Sequence, residues 1–271
     1  MKKIAILLFG ILIAATAVAQ DEGFSEQFTV PLTKPGERAY IKLNQVQGDI
    51  KVTAYKGKEV IISATSSGKN LNHHGDKDDN VPAGMKKISS TGIELRAKEN
   101  NNKIDINSES WKARIDIEMK VPANCDLDLH TVHGVIEITG VNGAMDLSGV
   151  NGGITLTNIS GSVVSNTVNG EVKVTLLKAT PGEPMSFVTL NGNVDVTLPA
   201  ATKATTKMKS DQGDIYTDFD MDMERSKTNV KREEGKYEVS INQWVYGKIN
   251  GGGPEYTMKN MNGNIIVRKG K

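Results

Sequence analysis

The sequence predicts an all-β protein, a right-handed single-stranded β-helix or β-solenoid of short stacked strands. Three observations carry this. Glycines recur at 134, 143, 152, 161 and 170, nine residues apart each time. Each follows a small or polar residue (His133, Asn142, Asn151, Ser160, Asn169) and precedes apolar residues at the second and fourth places, with Ser165 the one polar exception. No stretch beyond the N-terminus carries a helical period.

The elements follow in chain order. Lys2 and Lys3 open a short positive start, Ile4 to Ala15 is apolar apart from Gly10, and Ala17-Val18-Ala19 has the small-x-small form of a signal-peptidase site. Residues 1–19 are therefore expected to be a cleaved signal peptide, with Gln20 the first mature residue. The apolar run is shorter than the ~20 residues a membrane-spanning helix needs. Segments 24–30, 38–43, 59–65, 92–97, 103–107, 113–121 and 125–129 read as strands from alternation or β-branched content. Residues 66–85 read as a polar exposed loop, and 220–236 as a charged excursion.

The regular repeats occupy 130–178 within one expected domain, 20–271. Apolar residues two apart share one face of a strand, and the polar residues between them share the other. Asparagine and glycine tolerate positive φ, so each Asn-Gly pair turns the chain. Stacking such units buries a continuous apolar column that no single unit could hide. Val141, Val150, Ile159 and Val168 are expected in one interior row. Copies of the unit recur around Gly48, Gly192 and Gly263, with a weaker one at Gly213 where Asp211 replaces the apolar residue. The steps from Gly170 to Gly192 and Gly213 are 22 and 21 residues, two units plus a few loop residues, which suggests a coil of two or three strands. A parallel coil is right-handed by the crossover rule. The alternative is a β-sandwich or meander with Asn-Gly in type I′ hairpin turns.

These Val-Asn-Gly-x-Ile-x-Val units, with the ending Ile249-Asn250-Gly251-Gly252-Gly253-Pro254 and Met261-Asn262-Gly263-Asn264-Ile265, resemble the bacterial putative-adhesin β-strand-repeat domains. These are domains of unknown function related to auto-transporter adhesin head domains. The resemblance covers roughly residues 40–271. It implies a right-handed single-stranded β-helix outside the cytoplasm, and it brings no catalytic residues to carry over.

Composition narrows the function. The chain has 33 basic and 32 acidic residues. Losing Lys2 and Lys3 with the leader takes 33 to 31, a balance with no bulk pull on nucleic acid or anionic lipid. Cys125 is the one cysteine, so no internal disulfide forms, and a buried inert thiol is expected. His73-His74-Gly75-Asp76-Lys77-Asp78-Asp79 has metal-ligand types, but adjacent histidines on extended chain point apart, and a solvated loop is the expectation. Asp218, Asp220, Asp222 and Glu224 alternate with Phe219, Met221 and Met223, as on a charged edge strand.

Asp116 with Glu118, and Asp126 with Asp128, place carboxylates on one strand face about 7 Å apart, within the range of an inverting glycosidase. Such pairs are also routine on solvated strands. His133 takes a turn position in the repeat, and His130 stands three residues before it. No nucleophile elbow, phosphate loop or zinc-protease motif is present.

The expectation is a non-enzymatic secreted or cell-envelope protein, adhesin-like, with no cofactor, no metal site and no nucleic-acid partner. It is expected in the periplasm, at the cell surface or outside the cell, with no membrane segment in the mature chain. Its polar rung face, Glu137, Asp146, Thr155, Glu171, Lys173 and Asp195, would meet a glycan or protein partner. The alternatives are an envelope scaffold or stress-signalling component, and a polysaccharide-active β-helix enzyme.

Overall fold

The computed structural model describes residues 24–66, 95–108, 114–225, 229–233, 236–240 and 244–270. The expected leader at 1–19 and the His73–Asp79 segment lie outside the described residues. Among those described, every regular element is a strand.

The N-terminal part supplies β1 (Phe24–Pro31), β2 (Ala39–Gln47), β3 (Ile50–Tyr55), β4 (Glu59–Ser66), β5 (Leu95–Asn100), β6 (Lys103–Ser108) and β7 (Asp116–Pro122). The central part supplies β8 (Cys125–His133), β9 (Ile136–Thr139), β10 (Asn142–Asn151), β11 (Ile154–Asn169), β12 (Val172–Ala179), β13 (Met185–Asn191) and β14 (Val194–Leu198). The C-terminal part supplies β15 (Ala204–Ser210), β16 (Ile215–Thr217), β17 (Met221–Arg225), β18 (Asn229–Glu233), β19 (Lys236–Ser240), β20 (Val245–Ile249), β21 (Glu255–Asn260) and β22 (Ile265–Lys269).

Each turn of the β-solenoid has two strands, one in each of two parallel stacks. The first stack runs β6, β2, β8, β10, the second half of β11, β13, β21, β15. The second runs β7, β3, β9, the first half of β11, β12, β14, β22, β16. β11 belongs to both stacks because Asn158, at φ 53°, carries it round a corner without a loop; a short amide side chain makes that left-handed conformation accessible.

Two rungs are out of chain order. β2 and β3 sit between β6/β7 and β8/β9. At the other end β21 and β22 sit between β13/β14 and β15/β16. Antiparallel strands finish the stacks: β5 on β6, β4 and then β1 on β7, and β20 and then β17 on β15. Only the three-residue β16 ends a stack without such a cover among the described residues, and a very short edge offers little template for aggregation.

The core is a set of columns. Ile117, Ile50, Ile136, Ile154, Val172, Val194, Ile265 and Ile215 align through the second stack. Ile106, Leu43, Leu129, Leu147, Ser165, Phe187, Met258 and Met208 align through the first. β-Branched side chains suit the pleat, and each buried one contributes on the order of 1.5–3 kcal/mol before entropy. Ser165, fully buried, is the small member beside the large Phe187, so the column interdigitates there.

The expected interior row of Val141, Val150, Ile159 and Val168 is corrected. Val141 and Ile159 are fully buried, but Val150 and Val168 are 38% and 37% exposed. The nine-residue unit is half a rung, so successive units fall at opposite corners. At the corner holding Gly134, Gly152 and Gly170, the last inward place is one residue earlier and usually polar. There Thr167 and Thr189 donate to the carbonyls of Gly152 and Gly170, both at 2.8 Å, and Asn260 donates to that of Gly192 at 3.0 Å. The corner carbonyls would otherwise be buried without a partner. Val46, Val132, Val150, Val168, Leu190 and Met261 therefore lie outside the core at this corner.

Candidate functional site

The outward surface of the second stack is a flat polar array. Strand alternation turns the residues between core residues outward, and parallel register aligns them across rungs; among them Asp195 is only 8% exposed. One row reads Glu118, Lys51, Glu137, Thr155, Lys173, Asp195. Opposite charges are adjacent in it, an arrangement that favours pairing across strands. Lys51 Nζ lies 3.7 Å from Glu118. Asp195 accepts two bonds from Arg268, Nε at 2.8 Å and Nη2 at 3.0 Å, a fork-to-fork pair. The charge of Asp195 raises the pKa of the Arg268 guanidinium through that hydrogen bond.

Two residues further along the strands, Thr53, Thr139 and Thr157 stand in register on neighbouring rungs, and Thr175 is in register with Thr197; between the two groups the β11–β12 register shifts after Leu156 and Val174. Thr53, Thr139 and Thr157 are exposed, and Thr175 and Thr197 are half-buried. None of the five hydroxyls bonds to another described residue. Neighbouring rungs are about 4.8 Å apart, so Thr53 to Thr157 spans about 10 Å. Each hydroxyl can donate one hydrogen bond and accept two.

Of the six residues proposed from sequence, Glu137, Thr155, Lys173 and Asp195 stand together in the first row. Glu171 lies at the corner before Val172. Asp146 is on the other sheet, in register with Asp128 and Lys42. The nine-residue reading pooled the two sheets. The threonine row escaped it, yet a threonine follows each of Gly48, Gly134, Gly152, Gly170 and Gly192 by five places. Reading the chain at eighteen residues would have found it.

At the corner itself runs an amide ladder. Asn169 Nδ2 donates to Asn151 Oδ1 at 2.8 Å, Asn191 to Asn169 at 2.7 Å and Asn262 to Asn191 at 2.6 Å. Asn151 Nδ2 lies 3.1 Å from His133 Nδ1, so the histidine occupies an asparagine position in the ladder.

The carboxylate pairs are engaged by protein donors. Asp126 accepts from Arg38 at 2.7 Å and from the Ala144 amide at 2.8 Å. Asp128 accepts from Tyr40 at 2.7 Å and Lys42 at 2.9 Å, and His130 Nε2 lies 2.5 Å from it. Burial pushes the Asp128 pKa up, but these hydrogen bonds outweigh it and hold the carboxyl below its usual value. The same bond pushes the Tyr40 phenol up to about 12. Asp116 accepts from the Asp49 amide at 2.8 Å and lies 3.1 Å from Arg114. A general acid needs a raised pKa, and Asp128 is shifted the other way. The Cys125 thiol is buried and pushed up to about 12, chiefly by burial and then by Asp126, so it is little ionised at neutral pH.

Asp222 lies on β17, which among the described residues pairs only with β20, as an edge strand does. No helix among the described residues is long and apolar enough to cross a membrane.

Residues 35–268 match the Toastrack family, DUF4097, and the chain belongs to that family. No curated protein matches the chain. The fold is similar to that of a "putative cell adhesion protein" from Clostridium sporogenes, with TM-score 0.53 and 12% identity over 92% of this chain and 100% of that one. A "putative adhesin" from Bacteroides fragilis is 11% identical over 91% of this chain and 97% of that one, with TM-score 0.45. The chain is thus a domain of the Toastrack family with a β-solenoid fold.

Proposed function

We propose that the protein is an exported, non-enzymatic binding protein, and that the flat face of the second stack takes a cell-envelope or cell-surface glycan. The observation that carries this is the set of threonines: Thr53, Thr139 and Thr157 in register on neighbouring rungs and Thr175 with Thr197 beyond the β11–β12 register shift, their hydroxyls unclaimed by the described protein, beside a row of Glu137, Thr155 and Lys173 that ends at the buried Asp195. A glycan is a chain of hydroxyl groups, and a periodic row of donors and acceptors on a rigid sheet meets it at little cost in ordering. The adhesion wording attached to similar structures supports the reading, as do the donor-bound carboxylates of the other sheet. Glu171 borders this face, and Asp146 belongs to the opposite one.

The test is binding of the mature chain to immobilised envelope glycans, with Thr139→Val, Thr157→Val and Thr175→Val combined. Valine keeps the shape and removes three hydroxyls. At about 0.5–1.5 kcal/mol for each hydrogen bond, affinity falls more than tenfold. Unchanged glycan binding by this variant would refute the face, and binding to a protein alone would refute the glycan. Export is tested separately: the protein recovered outside the cytoplasm should begin at Gln20.

A further inference from the structure

The corner opposite the asparagine ladder is tight in the regular rungs, where Gly140-Val141 and Asn158-Ile159 carry the chain round. Beyond Gly170 the rungs lengthen, and the added residues open this corner into loops at 180–184, 199–203 and 250–254. Each loop carries proline, which fixes φ and holds the loop stiff. Between them lies an open cleft of about 480 Å³, in the size range of small-molecule sites.

The lining is apolar. Leu177, 62% exposed, stands on one wall with Pro181, Pro199 and Pro254 around it, and the buried Tyr256 also lines the cleft. Two lysines give the cleft a chemistry. Lys178 and Lys203 line it, are exposed, and pair with no carboxylate among the described residues. Thr202 also lines it, with its hydroxyl buried beneath the surface. Glu183, in the first loop, does not line the cleft and pairs with neither.

We propose that this cleft binds a small amphipathic carboxylate, a free medium-chain acyl acid, with its chain between Leu177 and the prolines and its carboxylate between Lys178 and Lys203. The charge argument selects an anion, and the apolar walls select one with a hydrocarbon body. The cleft's volume of about 480 Å³ lies within the range of pockets that take small organic ligands.

The experiment is titration of the full mature chain with decanoate below its micellar concentration, and with decanol, followed by amide chemical shifts. Decanoate should saturate, with the largest shifts at Leu177, Thr202 and Gly253, and bind at least tenfold tighter than decanol. Lys178→Ala with Lys203→Ala should remove that preference while decanol binding stays. Ala201→Trp, an exposed position on the rim, should weaken both ligands. Equal affinity for the two ligands, an unaffected double-lysine variant, shifts confined to another surface, or no saturation would each overturn the proposal.

Discussion

Replacing Gly152 with alanine tests the rung stack directly. A Cβ at Gly152 would lie 1.9 Å from the Gly134 carbonyl oxygen and 2.5 Å from its carbon. Those atoms are backbone and cannot rotate away. Relief needs a separation larger by more than 1 Å, which pulls apart the adjacent Gly134 N–H bond to Asn151, now 3.0 Å. Overpacking at the upper end of its usual range, plus a weakened corner hydrogen bond, gives a loss of roughly 3–5 kcal/mol. That is a large share of the ~5–15 kcal/mol that holds a typical domain folded.

Gly182 is the control. Its φ of +82° disfavours alanine, but nothing stands within 4 Å of the new Cβ, so only the left-handed conformation costs, about 1–2 kcal/mol. Urea denaturation followed by circular dichroism measures both variants. If Gly152→Ala costs no more than Gly182→Ala, the corner is not limited by backbone contact between rungs, and the stacking argument fails.

Three further outcomes are expected. Thr167→Val leaves the Gly152 carbonyl without its 2.8 Å partner and should lower stability by roughly 1–3 kcal/mol, whereas Thr157→Val on the outer face should stay within about 0.5 kcal/mol; thermal melts compare the two. Arg268→Met strands the nearly buried Asp195 and should lower the melting temperature, by less than breaking a fully buried pair would because the Arg268 side chain is 53% exposed; adding Asp195→Asn should restore most of the loss in the same melts. Asp128 has a folded pKa below its unfolded value, so its contribution is fully present above about pH 3.9 and is lost as pH falls through the folded value. Denaturation from pH 7 to pH 2 should show the gap between the native chain and Asp128→Asn constant at the upper end and closing at the acid end.

Much of the fold was legible because turn chemistry is local. Asn-Gly at constant spacing names a corner, and residues at the second and fourth places after it name a core face. What misled was the choice of period. Val150 and Val141 occupy the same place in the nine-residue unit, yet they stand at corners of different construction. At one corner Asn158 turns the chain at once; at the other a polar residue such as Thr167 takes the last inward place and leaves the valine outside. Periodicity cannot separate these, because the difference lies in which carbonyl of the next rung needs a donor. The threonine row was present at an eighteen-residue interval, and the cleft was foreshadowed by the 22- and 21-residue steps. The pairings of β2 with β6 and of β21 with β15 join segments far apart in sequence, and nothing in the residue pattern of either marks its neighbour.

The placement of β21 and β22 bears on the order of events during synthesis. The outermost parallel layer at that end, β15 and β16, emerges before the layer on which it must rest. A chain released from its N-terminus onward can therefore grow this end only as far as β13 and β14. β15 and β16 wait for β21 and β22 to arrive and fill the gap, so this end of the stack closes only after those later strands have emerged.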